Sequence, residues 1–166
     1  MTTNPYLLSD LPPWQQPQII HWSEILARSY QQLLGKKLID EDFADTYHLS
    51  KALFYAPFVV VSHGTQTDPI LNYGNQTALE LWSMNWQQLT KTPSRLTAEP
   101  VNREDRTLML DRVTRQGYID DYRGIRISST GRRFAIERAT IWNLTDESGN
   151  KCGQAATFAN WTWLNE

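Results

Sequence analysis

Between Pro69 and Trp82 the chain reads PILNYGNQTALELW, and its apolar spacing changes from that of a strand to that of a helix across one residue, Asn75. ILNYG has strand character, whereas Ala78, Leu81 and Trp82 recur at helical spacing. No loop separates the two. Asn suits such a corner, because its side-chain oxygen can accept from the free N–H groups that open a helix. The spacing predicts that Asn75 caps a helix over 76–82, a contact worth roughly 0.5–2 kcal/mol. A strand that hands directly to a helix places both in one packed α+β unit.

The rest of the chain supplies more of both. Ile19, Trp22, Leu26, Tyr30 and Leu33 form one apolar stripe, predicting a helix over 17–35 that opens at Pro17 and stops at Gly35. Asp40, Glu41 and Asp42 suit the start of a second helix over 40–55, which Pro57 ends. Residues 1–16, with three prolines, read as an extended arm. PFVVVSHG predicts a strand at 58–62, and ILNYG one at 70–74. After a loop-rich stretch with a helical turn at Trp86 to Leu89, VNREDRTLMLDRVTRQG predicts a helix over 102–116, with Asn102 as cap and Gly117 as stop. Strands over 118–128 and 133–144 meet at Thr130-Gly131, and a last strand runs over 152–162. This order describes a five-stranded antiparallel sheet with helices on one face, plus an N-terminal helical extension. Residues 1–55 form the arm and flanking helices, and residues 56–166 the sheet-bearing domain.

Charge and cysteine usage narrow the function. A formal net charge of −2 gives no global attraction to nucleic acid or anionic membrane. The basic residues from Arg103 to Arg138 are interleaved with acids and read as a solvated face. Cys152 is the single cysteine, so no disulfide forms within the chain and a reducing, cytoplasmic setting is expected. No apolar run precedes Arg28 and none reaches membrane-spanning length, which predicts neither a secretory leader nor a membrane anchor. Seven Trp and seven Tyr supply one real core, each ring burying roughly 150–250 Å².

Four stretches carry a family resemblance: APFVVVSHGTQTDPILNYGN, PSRLTAEPVNRE, RISSTGRRFAIERATIWNL and GQAATF. Together with the Asn75 corner and the TDESGN turn they resemble a PAS domain. More closely, Ala56 to Trp163 is similar to the MEKHLA domain, a PAS-like module of bacterial proteins and of plant homeodomain–leucine zipper proteins, here in what looks like a bacterial stand-alone form. The hexapeptide that names the family is absent, as are a homeodomain and a zipper, so DNA binding does not carry over. The resemblance implies a sensory or regulatory module that holds a small molecule between helices and sheet, with no catalytic set.

The residues themselves weigh against an enzyme. Glu41, Asp45 and His48 have ligand-like helical spacing but read better as a solvated helix face than as a metal site. No local His accompanies Cys152 to make it a nucleophile. No motif names a cofactor. In a PAS-like fold the pocket walls would draw on Tyr73, Trp82 and Trp86, with Phe134, Arg138 and Trp142 sharing one strand face by period two. Arg95 and Glu99, from SRLTAEP, complete the candidate set. Arg138 stands out, since its fork would hold either an anionic ligand or a neutralising acid such as Glu99. Trp82 and Trp142 are expected to border one cavity. The stripe of helix 17–35 must also be covered, either by the sheet's outer face or by a second copy of the chain in a homodimer. A dimerisation or protein-interaction module without ligand is therefore the alternative reading.

Overall fold

The computed structural model describes residues 11–98 and 103–164. Its helices are α1 (Pro17–Leu34), α2 (Thr46–Phe54), α3 (Gln76–Trp82), α4 (Trp86–Leu89) and α5 (Arg103–Gln116). Its strands are β1 (Val59–His63), β2 (Leu71–Gly74), β3 (Tyr118–Ile127), β4 (Arg133–Thr145), β5 (Lys151–Phe158) and β6 (Trp161–Trp163). Glu99 and the expected cap Asn102 lie outside the described residues.

Helix α1 opens at Pro17 and stops at Gly35, whose φ of 72° is left-handed. Helix α2 starts later than the acidic run suggests. Asp45 is extended and accepts from the His48 backbone N–H at 2.9 Å, so the cap lies three residues beyond Asp42. The expected arm is partly structured as well: Pro13–Gln15 form a 3-10 turn that buries Trp14. The last predicted strand is two, since the ladder breaks after Phe158 and β6 pairs with β4 instead.

All pairings are antiparallel, in the order β2-β1-β5-β4-β3. Helices α3 and α5 lie on one face, here called inner. Val59, Phe134, Ile136, Ala139 and Phe158 pack there with Ala78, Leu81 and Trp82 of α3, while Ile119 and Ile141 pack with Val113 of α5. The outer face is covered by α1, the N-terminal helical extension. Leu26 and Tyr30 pack with Val60, Tyr73, Trp142, Leu144 and Ala155, the first of the two covers the stripe allowed. Polar pegs fix α1 there. Trp22 Nε1 donates to Ser62 Oγ at 2.9 Å, and Ser29 Oγ accepts from the Thr145 N–H at 3.1 Å. One core therefore crosses the division at residue 55.

Strand β4 serves both faces because it is bulged. Ile136 pairs with Gly124 and Ala139 with Tyr122, so Glu137 and Arg138 together oppose Arg123 alone. A second irregularity in β3, at Asp120 and Asp121, restores the earlier register. An extra residue reverses the alternation of a strand. Phe134 and Ile136 consequently share the inner face with Ala139 and Ile141, and Trp142 and Leu144 move to the outer one.

Arg138 adopts φ 55° at this bulge, a conformation that costs a non-glycine residue roughly 1–2 kcal/mol. Arg138→Gly should therefore raise stability by about 1 kcal/mol in urea unfolding, and Arg138→Val should lower it. A glycine variant less stable than the parent would contradict the strain.

Candidate functional site

The Asn75 corner positions the inner face. Asn75 is fully buried, and its Oδ1 accepts from Ala78 N–H, capping α3, and from Val60 N–H, both at 3.1 Å. Its Nδ2 donates to the carbonyls of Leu53 at 3.1 Å and Phe58 at 2.8 Å. The residue is thus more than a cap. It ties α2, β1 and α3 into one junction.

From that junction α3 runs to Ser83, whose φ of 56° ends it. The β3–β4 hairpin is latched to this end: Ser129 N–H donates to Trp82 O at 2.9 Å, and Ser129 Oγ to Ser83 O at 2.6 Å. Trp82 is held over the sheet, with Nε1 donating to Thr97 O at 3.4 Å. Its ring meets Phe134 and Phe158 edge-on, at centroid distances of 5.3 and 6.1 Å.

Register then brings a second group of residues to this place. Arg126 pairs with Phe134, which pairs in turn with Trp163, and Gly124 with Ile136 pairs likewise toward Trp161. A cross-strand row Arg126–Phe134–Trp163 therefore lies on the inner face. Phe134 and Trp163 are 5.3 Å apart, and the Arg132 guanidinium stacks 3.8 Å from the Trp163 ring. Tyr122, Arg126, Trp161 and Trp163 are only partly buried, in contrast to Trp82 and Phe134. This end of the inner face is a guanidinium beside aromatic rings.

Of the residues singled out from sequence, Trp82 and Phe134 come together here. Trp142 does not: it lies on the outer face against Tyr30, 5.1 Å between centroids, and shares no cavity with Trp82. Its indole N–H has no partner among the described residues, a cost offset by complete burial of the ring. Tyr73 is also on the outer face, and burial pushes its phenol far above the usual range. Trp86 sits at the β2 edge, 5.8 Å from Tyr73, and helps line a 400 Å³ hollow with Phe54, Leu79 and Met84. Arg95 is neutralised at the surface by Asp68 at 3.2 Å. Arg138 is exposed in the bulge and so is not the buried cation expected on the strand face, and Glu99, the acid expected beside it, lies outside the described residues. The bulge breaks the period-two alternation of β4 between Phe134 and Trp142.

Arg126, Tyr122, Trp161 and Trp163 escaped the sequence reading. A signal was available: a hairpin centred on Thr130 sets Arg126 opposite Phe134.

Other candidate chemistry has structural uses. The Asp45 carboxylate holds the backbone N–H and ring Nδ1 of His48, which keeps its carboxyl below the usual range. Burial, with Asp146 adding repulsion, pushes the Cys152 thiol up and away from the reactive thiolate. A 330 Å³ hollow lies between α1, α2 and their connection, away from the inner face. Among the described residues, no helix is long and apolar enough to cross a membrane.

Known proteins share both sequence and architecture with this chain. Homeobox-leucine zipper protein ATHB-14 of Arabidopsis thaliana is 29% identical over 150 residues, 88% of this chain and 17% of that protein. Homeobox-leucine zipper protein HOX10 of Oryza sativa subsp. indica is 22% identical over 149 residues, 89% of this chain and 18% of that protein. The chain thus spans less than a fifth of these relatives. Both are plant proteins and lend no support to a bacterial form. Among solved structures, a PAS domain from Colwellia psychrerythraea superposes with a TM-score of 0.57 at 19% identity, covering 66% of this chain and 91% of that one. A light-oxygen-voltage domain studied with a flavin analogue gives 0.54 at 19% identity, covering 72% and 87%. The fold is therefore PAS-like. The family model described as the MEKHLA domain matches residues 20–163, including most of α1, and the chain belongs to that family.

Proposed function

We propose that this chain is a PAS-type regulatory module that takes a small molecule on the inner face of its sheet and carries out no catalytic step. The observation that carries this reading is the Arg126–Phe134–Trp163 row, where a partly buried cation stands beside aromatic rings in a fold that otherwise closes its core. Such apolar surroundings with one converging polar group suit a small-molecule site. Native mass spectrometry of the intact chain, purified from its own cell type, is the test. A stoichiometric extra mass that disappears on denaturation is expected. A bare chain under all gentle conditions counts against the reading.

A second reading, an interaction module without ligand, is favoured by Leu108 on α5, a large apolar side chain that is 60% exposed. It predicts self-association or partner capture through α5. Sedimentation would show Leu108→Glu dissociating an assembly that the parent forms. A parent chain that is monomeric at all concentrations removes the homodimer version.

A further inference from the structure

We propose that Arg126 anchors an oxyanion subsite on the inner face, built to receive a flat aromatic acid, either a carboxylate or a phosphate. This rests on the ligand-binding reading above and names the class of its ligand.

Gly124 makes room for the subsite. A Cβ at this position would lie 2.6 Å from Tyr122 Oη and 3.0 Å from its ring. Only the missing side chain lets the phenol lie along the strand. So placed, Tyr122 brings Oη to 3.2 Å from Arg126 Nη1, and its ring centre to 5.2 Å from the guanidinium. Nη1 also donates to the Ile125 carbonyl at 3.4 Å. These contacts fix the direction of the guanidinium without neutralising it, because a neutral hydroxyl, a carbonyl and a ring face carry no net charge.

Several of the other described arginines are placed differently. Arg28, Arg95 and Arg112 meet Glu24, Asp68 and Asp121 within salt-bridge distance. Arg123 and Arg138 are exposed, and Arg132, also exposed, stacks on the Trp163 ring. Arg126 is partly buried, forms no ion pair among the described residues, and its Nε and Nη2 donate to none of them. That leaves one edge of the fork, two parallel N–H groups, with the spacing of a carboxylate or phosphate. A charge in this setting gains most from a counter-ion that arrives with its own apolar body. The body would rest against the partly exposed ring of Tyr122, on the same strand.

The test uses the full chain and three probes: benzoate, phenyl phosphate and the neutral isostere benzamide, titrated by calorimetry at low and moderate salt. At least one anion should bind ~10-fold or more tightly than benzamide, and less tightly as salt rises. The preferred anion identifies carboxylate or phosphate. Arg126→Gln should abolish the preference, and Arg126→Lys should keep only part of it, because an ammonium preserves charge without the fork. Equal binding of benzamide, or an anion preference unchanged in Arg126→Gln, overturns the subsite. So does a melting temperature ~10 °C or more lower in Arg126→Gln, the mark of a structural ion pair. A neutral or cationic retained ligand also overturns it, yet leaves the ligand-binding reading standing. Failure of every probe together with a bare native mass overturns both.

Discussion

Asn75→Ala should destabilise the fold by about 4 kcal/mol, well beyond the loss of a helix cap. The cap is one of four side-chain hydrogen bonds, and all four end on backbone groups of three different elements. Alanine strands these groups in a fully buried place. Each orphaned buried group costs roughly 1–3 kcal/mol, reduced by shared relaxation and by second partners such as the Ala56 N–H that already reaches Leu53 O. Against a domain stability of about 5–15 kcal/mol, this is a large fraction. Asn75→Asp separates the two halves of the junction. It keeps both acceptor bonds but turns a carboxylate oxygen toward the carbonyls of Leu53 and Phe58. Burial and those carbonyls raise the folded pKa of the introduced carboxyl above its unfolded value. Its penalty should therefore be full at pH 7 and shrink as pH falls through that raised pKa, where a proton restores one donor. Urea unfolding at pH 7 and pH 5 checks both variants. A loss near 1 kcal/mol for alanine would reduce Asn75 to an ordinary cap.

Gly153→Ala should cost about 2–4 kcal/mol. A Cβ there would sit 2.4 Å from the His63 carbonyl oxygen and 3.4 Å from Trp22 Cη2. The first obstacle is backbone of the neighbouring strand β1, at the middle of the sheet, and it cannot swing away as a side chain would. Strands β1 and β5 must separate locally, which disturbs the pairing of His63 with Gln154 and the seat of α1. Gly64→Ala is the control, because the three atoms nearest its Cβ would all belong to the flexible Gln66 side chain. Comparable melting temperatures for the two variants would show that the close approach is not a constraint.

How much of this was legible beforehand depends on whether the signal was local. The Asn75 corner, the α1 stripe and the stops at Gly35 and Gly117 are local signals, and each lies where the spacing placed it. Asn75's reach to Leu53 and Phe58 is tertiary, and no local pattern encodes it. The candidate site was less legible, and Trp142 and Arg138 show one reason. Trp142 and Arg138 were assigned by counting twos along β4, and counting is valid only while the ladder is regular. Glu137 and Arg138 were in fact the clue, two adjacent charges interrupting an apolar alternation. Arg126 was recoverable by a different route, from the hairpin's centre, because register near a turn is set by the turn. Membership of the family was legible from four separated stretches, although α1, which the match includes from residue 20 onward, lay outside them.

The paired irregularities of β3 and β4 also bear on how such chains can change over generations. The bulge at Glu137–Arg138 advances one strand by a residue, and the one at Asp120–Asp121 returns the account to its starting register. A lineage that lost a single residue from either strand would turn Trp142 away from α1 or shift Ile119 from Ile141. Loss of one residue from each would leave both faces supplied. Insertions and deletions here should therefore survive only as matched events in two strands about 17 positions apart in sequence. Any gap-free comparison with a PAS-like strand lacking the bulge will pair Trp142 with a residue that faces the other way.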